Sequence, residues 1–205
     1  MPKVTDDYKE KRRREILDVA EKVFCEKGFG STTMTDIVNE TEFSRGGVYK
    51  YFSSTDEMFQ AIMDDRDKKF SAYFNQLASD YETIWQALCY YLDEFEGNLK
   101  SLKSEFGIVQ SEYFIMSSRY KERGPFLQLR VDRNMKVLED FLQIGVDTGE
   151  FKPIQPLEAI VLFLSNITDG LYLHTHMVGY ERAHIIEQFK GLKMYLTQAL
   201  GVVQN

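Results

Sequence analysis

Cysteine is scarce in this chain. Only Cys25 and Cys89 occur in 205 residues, far apart and without a partner motif, so free thiols in a reducing cytoplasm are expected rather than a disulfide framework. Four prolines and thirteen glycines leave no linker or low-complexity segment, and no fixed-period repeat is present. Long apolar runs are missing too. The longest, "AIVLFLSNITDGLYL" from Ala159 to Leu173, is interrupted by Asn166 and Asp169 and falls short of the ~20 residues of a membrane span. The first residues, "MPKVTDDYKEKRRREILDVA", lack the apolar core of a signal peptide, and their acids argue against a transit peptide. No membrane association is expected.

Catalytic and metal-binding patterns are equally thin. Of the three histidines, His174 and His176 stand two apart, which sends them to different sides of a helix, and His184 follows a turn; no zinc site is expected. Asp64-Asp65 and the Glu94/Glu96 pair have no accompanying nucleophile or glycine-rich loop. Neither a Walker A motif nor HExxH nor GxSxG occurs. The expectation is a protein that is not an enzyme and has no cofactor.

What is present is charge, aromatics and helical periodicity. Charged residues make up 28% of the chain, aromatics 14% and hydrophobics 43%, values of an ordinary soluble protein with room for two domains. Net charge is −7, but it is unevenly spread. Residues 1–52 hold ten Lys/Arg and ten Asp/Glu, so the whole excess of acid lies beyond them. Within the neutral part, "KEKRRR" (Lys9 to Arg14) carries five positive charges and one negative. A basic start on an acidic body favours one end meeting phosphates while the rest is repelled; a solvated helix start is the alternative for that run alone.

Apolar residues recur at i, i+3, i+4 almost throughout, without sustained period-two alternation, and predict an all-helical chain. A first helix is expected over 8–27, with the stripe Ile16, Val19, Ala20, Val23, Phe24 and Gly28 as its C-terminal stop. A short second helix follows over 35–41 with Thr33 or Thr35 as N-cap, then a third over 44–52 capped by Ser44. Ser54 with Glu57 three residues on is a capping-box signature that starts the next helix. Longer helices are expected over 56–76, 80–98, 102–118, 121–148, 156–178 and 182–200, with "DTGEFKPIQP" (Asp147 to Pro156) the clearest stop. Three closely connected short helices followed by a longer one suggest a helix-turn-helix, whose second helix enters a DNA major groove. The expected domains are therefore residues 1–55, an N-terminal three-helix domain, and 56–205, a C-terminal helical domain.

The third helix is the most informative. Its first turn holds Gly46 and Gly47, and each glycine costs about 0.8–1 kcal/mol relative to alanine in a helix interior. At 100° per residue Val48 and Phe52 share a buried face. Gly46, Gly47 and Lys50 point away from it, flanked by Arg45 and Tyr49 on one side and Tyr51 on the other. A helix thinned by glycine on its outward side lets the backbone approach base edges, and Arg45 and Lys50 then reach guanine O6 and N7. Tyr49 and Tyr51 suit phosphate contacts, which position without specifying. The helix starts at Thr33/Thr35 and Ser54/Thr55 offer N–H donors to phosphates. With Ser44, these residues form the candidate DNA-contacting set.

The stretch "GFGSTTMTDIVNETEFSRGGVYKYFSSTDEMF" resembles the DNA-binding domain of the TetR family of bacterial transcriptional regulators, through Gly28-Phe29, Thr33, Ile37, Phe43-Ser44, Gly46, Tyr49, Phe52 and Ser54. Beyond that first quarter the likeness is in helical layout, the "GEF" after a long helix, and Asp169-Gly170. Glu42 stands where the family usually has glycine, and Thr55 where it commonly has lysine; a left-handed Glu42 would cost on the order of 1 kcal/mol. The resemblance implies a repressor that binds a palindromic double-stranded operator, dimerises through the last two helices (about 156–178 and 182–200), and is released by a small-molecule effector. Polar residues on apolar faces (Gln110, Asn166, Asp169) and large aromatics (Trp85, Phe106, Tyr113, Phe114, Phe141) are the candidate effector contacts. An activator, a structural DNA-binding protein without inducer, and a helical protein–protein adaptor are the alternatives.

Overall fold

The computed structural model describes residues 6–101 and 105–203. Among them the elements are α1 (Asp6–Lys27), α2 (Met34–Glu40), α3 (Arg45–Tyr49), α4 (Thr55–Asp80), α5 (Ile84–Ser101), α6 (Phe106–Ser117), a 3-10 turn (Lys121–Arg123), α7 (Gly124–Asp147), α8 (Leu157–Val178) and α9 (Ile185–Ala199). Two compact units emerge. The first comprises the chain up to Asp67 together with Glu105–Leu127; the second comprises Lys68–Ser104 and the chain from Gln128 onwards.

The first unit is a helical head with an aromatic core. Ile16, Ala20, Val23 and Phe24 of α1 are buried with Ile37, Val48, Phe52, Phe59, Phe106, Val109 and Tyr113. Rings of Phe24 and Phe59 meet edge-on at 5.1 Å, and Tyr113 meets Phe29 at 4.7 Å. Offset and edge-on pairs of this kind add about 0.5–1.5 kcal/mol each beyond their buried area. Helix α6, remote in sequence, is therefore part of the head. Polar ties reinforce it: Arg66 pairs with Glu21, Gln60 donates to the Tyr113 hydroxyl at 3.0 Å, and Arg123 grips Asp56 with two nitrogens at 2.7 and 2.8 Å.

Local chemistry explains where the head's helices start and stop. Helix α1 ends at Gly28, whose φ of +81° is costly for any other residue. Thr33 caps α2 in a complete capping box, its side chain accepting from Asp36 N–H while the Asp36 carboxylate accepts from Thr33. Between the two expected caps, Thr33 is the one used. The Asp36 carboxyl is held well below the usual carboxylate range, first by Lys27 and then by Thr33. Ser44 caps α3, accepting from Gly47 N–H at 3.2 Å. At α4 the Ser54 hydroxyl accepts from Glu57 N–H at 3.1 Å, and the Glu57 carboxylate turns back to Ser53 rather than Ser54.

The second unit is a helical bundle. Its core is drawn from Phe74, Leu88, Leu92, Phe141, Leu142, Leu164, Phe189, Leu192 and Leu196. The "GEF" signature acquires a mechanical meaning here. Gly149 takes φ +78°, the Glu150 carboxylate accepts from Ile84 and Trp85 N–H at 2.9 and 2.6 Å and so caps α5, and Phe151 fills the space above Gly145. A β-carbon at 145 would stand 2.4 Å from that ring. Phe151 also pairs with Val202 in an isolated antiparallel bridge.

Candidate nucleic-acid interface

Helix α3 is only five residues long, and its orientation is set by what it buries. Val48 is fully buried and Phe52 is 3% exposed, while Tyr51 N–H and Phe52 N–H both return to the Val48 carbonyl, at 2.9 and 3.1 Å. With that face fixed, Arg45, Gly46, Tyr49 and Lys50 are left exposed. The Arg45 guanidinium lies 5.5 Å from the Tyr49 ring centroid, a cation–π distance that pre-orders the arginine.

The two glycines differ. A β-carbon at Gly46 would meet nothing within 4 Å, so the fold has no steric reason for glycine there. At Gly47 a β-carbon would stand 3.3 Å from Ser44 Oγ and 3.6 Å from Phe43 Cβ. Gly47 is half-buried and makes room for the cap, whereas Gly46 thins the outward face. Glu42 settles a second point: among the described residues the only non-glycine with positive φ is His184, so Glu42 carries no left-handed strain.

Around α3, Thr33 and Thr35 are exposed at the start of α2, and Ser54 and Thr55 are half-buried at the start of α4. Tyr51 is half-buried against the head core. The basic run of α1 serves partly as internal support. Arg12 pairs with Glu15 and lies over the Phe43 ring, and Arg13 lies over Phe52; Lys11 and Arg14 are exposed.

The candidate effector residues fall into both units. On α6, Phe106 and Tyr113 are buried in the head core, Phe106 stacked on Phe59 at 5.3 Å, while Gln110 and Phe114 are half-buried. In the second unit Trp85 is half-buried beside the α5 cap. Phe141 borders a cleft of ≈ 280 Å³ with Ser71, Phe74, Asn75, Ala78, Val137, Asp140 and Ile144. Asn166 and Asp169 share the exposed stripe of α8. Desolvation pushes the Asp169 carboxyl above its ordinary range, opposed by Arg130. The same α8 stripe exposes Leu162 and Phe163, and α9 exposes Ile186 and Met194.

Sequence reasoning missed Glu112. Its carboxylate accepts from Phe29 and Gly30 N–H, both at 2.9 Å, across more than 80 residues of chain, and no local pattern marks it.

Residues 16–62 match the model for bacterial regulatory proteins of the tetR family, and residues 87–186 match the tetracyclin repressor-like C-terminal domain. The chain is 38% identical over 203 residues to the HTH-type transcriptional regulator YfiR of Bacillus subtilis (strain 168), covering 97% of each. It is 25% identical over 158 residues to the HTH-type transcriptional repressor KstR2 of Mycolicibacterium smegmatis, covering 77% of this chain and 76% of that one. Among solved structures, GusR of Salmonella enterica superposes with a TM-score of 0.78 at 20% identity, covering 97% of this chain and 99% of that one. FadR of Bacillus subtilis, solved in complex with stearoyl-CoA, gives 0.70 at 14% identity, covering 93% and 99%. Among the described residues no helix is long and apolar enough to cross a membrane. The two matched segments and the whole-length relative lead to one conclusion: the chain belongs to the TetR family of helix-turn-helix transcriptional regulators, which are not enzymes.

Proposed function

We propose that this chain is a cytoplasmic homodimeric repressor that reads a palindromic operator and leaves it when a small molecule binds. The observation that carries the reading is the outward face of α3: Arg45, Tyr49 and Lys50 exposed around Gly46, a glycine for which the fold has no steric need. Arg45 and Lys50 reach guanine O6 and N7, and a backbone without a β-carbon at 46 sits close to the groove floor. Tyr49, Tyr51, Thr33, Thr35, Ser44, Ser54 and Thr55 take phosphates and set the register. Two heads on one dimer enter successive major grooves about 34 Å apart.

Dimerisation is proposed through α8 and α9, because Leu162, Phe163, Ile186 and Met194 leave an apolar stripe on that pair of helices. A second copy would bury it, at roughly 25 cal/mol per Å² of apolar surface. The effector is proposed to bind among the helices of the second unit, supported by the cleft beside Phe141, with Trp85 as a further contact. It lowers operator affinity only by as much as it binds the two states differently.

Selection from random duplexes tests the reading, followed by a salt titration. The expected result is an enriched palindrome whose binding falls steeply with salt, because phosphate contacts release counterions. Effector binding is read from quenching of the single tryptophan, Trp85.

A further inference from the structure

The turn from α1 to α2 is short of hydrogen-bond partners of its own. Gly28 N–H returns to the Phe24 carbonyl at 2.8 Å, and Thr32 ties back to Gly28 and Phe29 through its hydroxyl and its N–H. Phe29 and Gly30 N–H point the same way, and the two oxygens of the Glu112 carboxylate take one each at 2.9 Å. Successive amides converging on one anion form a backbone seat, and charge-assisted hydrogen bonds are about twice as strong as neutral ones.

The flanking glycines fit the seat. A β-carbon at Gly28 would stand 2.9 Å from Glu112 Oε2, and one at Gly30 would stand 3.1 Å from Oε1 and 3.1 Å from Met116 Sδ. The "GFG" stretch is therefore shaped by a carboxylate brought from α6. Phe29, whose N–H donates to that carboxylate, has its ring against Phe59 and Tyr113. Immediately after the turn, Thr33 caps α2, whose Ile37 shares a core with Val48 of α3. The seat thus fixes the entry to the helix-turn-helix.

We infer that Glu112 is a positioning residue for DNA reading: its seated carboxylate holds the α1–α2 turn, and through α2 the presentation of α3, in the arrangement that binds the operator. The inference rests on the DNA-reading role proposed above. It does not touch DNA, and the seat is partly open to solvent, so water replaces the carboxylate when it leaves. Loss of the carboxylate therefore loosens the turn without unfolding the head.

The test uses the full chain and the operator selected by the wild type, with Glu112→Gln, Glu112→Ala, Gly30→Ala, the Glu112→Ala/Gly30→Ala pair, and Glu122→Gln as a control for lost surface charge. Operator affinity is read together with amide exchange at Phe29 and Gly30. Glu112→Ala is expected to weaken operator binding about tenfold, with an unchanged salt slope because no phosphate contact is lost, and to speed exchange at those two amides. Glu112→Gln falls between, and Glu122→Gln matches the wild type. The double variant should be no weaker than Glu112→Ala, since both substitutions empty one seat. Wild-type affinity in folded Glu112→Ala and Gly30→Ala overturns the inference and leaves the DNA-reading role standing. Additive losses in the double variant overturn it as well. If the wild type itself selects no duplex, both fall together.

Discussion

The exposed faces of α3 and α8 are built in opposite ways. Around α3 the surface is cationic and tyrosine-edged, and its only steric economy is Gly46, with open space where a side chain would be. Along α8 and onto α9 the exposed apolar positions include Leu162, Phe163, Met177, Ile186 and Met194, with Met177 77% and Met194 71% exposed. A protein gains little by showing water a methionine stripe, and such a patch marks a surface meant to be covered. A glycine that weakens a short helix without relieving any clash marks a surface meant to be approached. This contrast supports the proposed DNA contact in the first unit and the proposed dimer face in the second.

The two units also use glutamate alike. Glu112 and Glu150 each take two successive backbone N–H groups. Glu150 does so at the start of a helix, where donors are free in any α-helix. Glu112 does so at a turn after a helix end, where the seat exists only because two glycines flank it.

The largest expected effect separates core from surface. Phe59→Ala removes the ring that joins Phe24, Phe29, Phe106 and Tyr113 and should cost about 3–5 kcal/mol, measured by denaturant unfolding, with operator binding lost as a consequence. The next tests the apolar face: Phe163→Asp with Met194→Asp should leave the monomer folded and halve the mass seen in sedimentation. A dimer of unchanged mass would break the contrast between the two faces. Arg45→Ala or Lys50→Ala should relax base preference at one position and cost about 1–3 kcal/mol of operator binding, whereas Tyr49→Phe should weaken all duplexes alike.

The smallest effect is acid sensitivity at α2. The Asp36 carboxyl is held below its ordinary range by Lys27 and Thr33. A depressed carboxyl adds stability above its unfolded value and loses it as pH falls through the folded one. Asp36→Asn should therefore flatten the loss of stability below about pH 4, read by thermal unfolding across pH, and leave the neutral-pH slope unchanged.

How much of this was legible in the sequence follows from the range of the interactions. Gly28, Ser44 and the Val48/Phe52 face are local: φ preference, side-chain reach and a 3.6-residue period decide them, and the helices stand close to where periodicity puts them. Thr33 rather than Thr35 as the cap turns on two residues of register, which neighbouring hydroxyls leave ambiguous. Gly47 looked like Gly46 on a helical wheel, because a wheel shows direction and not what the preceding loop, Phe43 and Ser44, places there. The place of α6 in the head core was not legible at all. Its apolar spacing is that of any buried helix, and the partners that claim it, Phe29 and Phe59 for Tyr113 and the turn amides for Glu112, lie more than 50 residues away, most of them more than 80.

The most direct test of the outward face compares the wild type with Gly46→Ala in stability and in operator affinity. Alanine meets no atom of the folded chain, so the variant should be more stable by up to about 1 kcal/mol yet bind the selected operator more weakly. A Gly46→Ala protein that gains stability and keeps full operator affinity would contradict the account, because the groove would then not need the missing side chain.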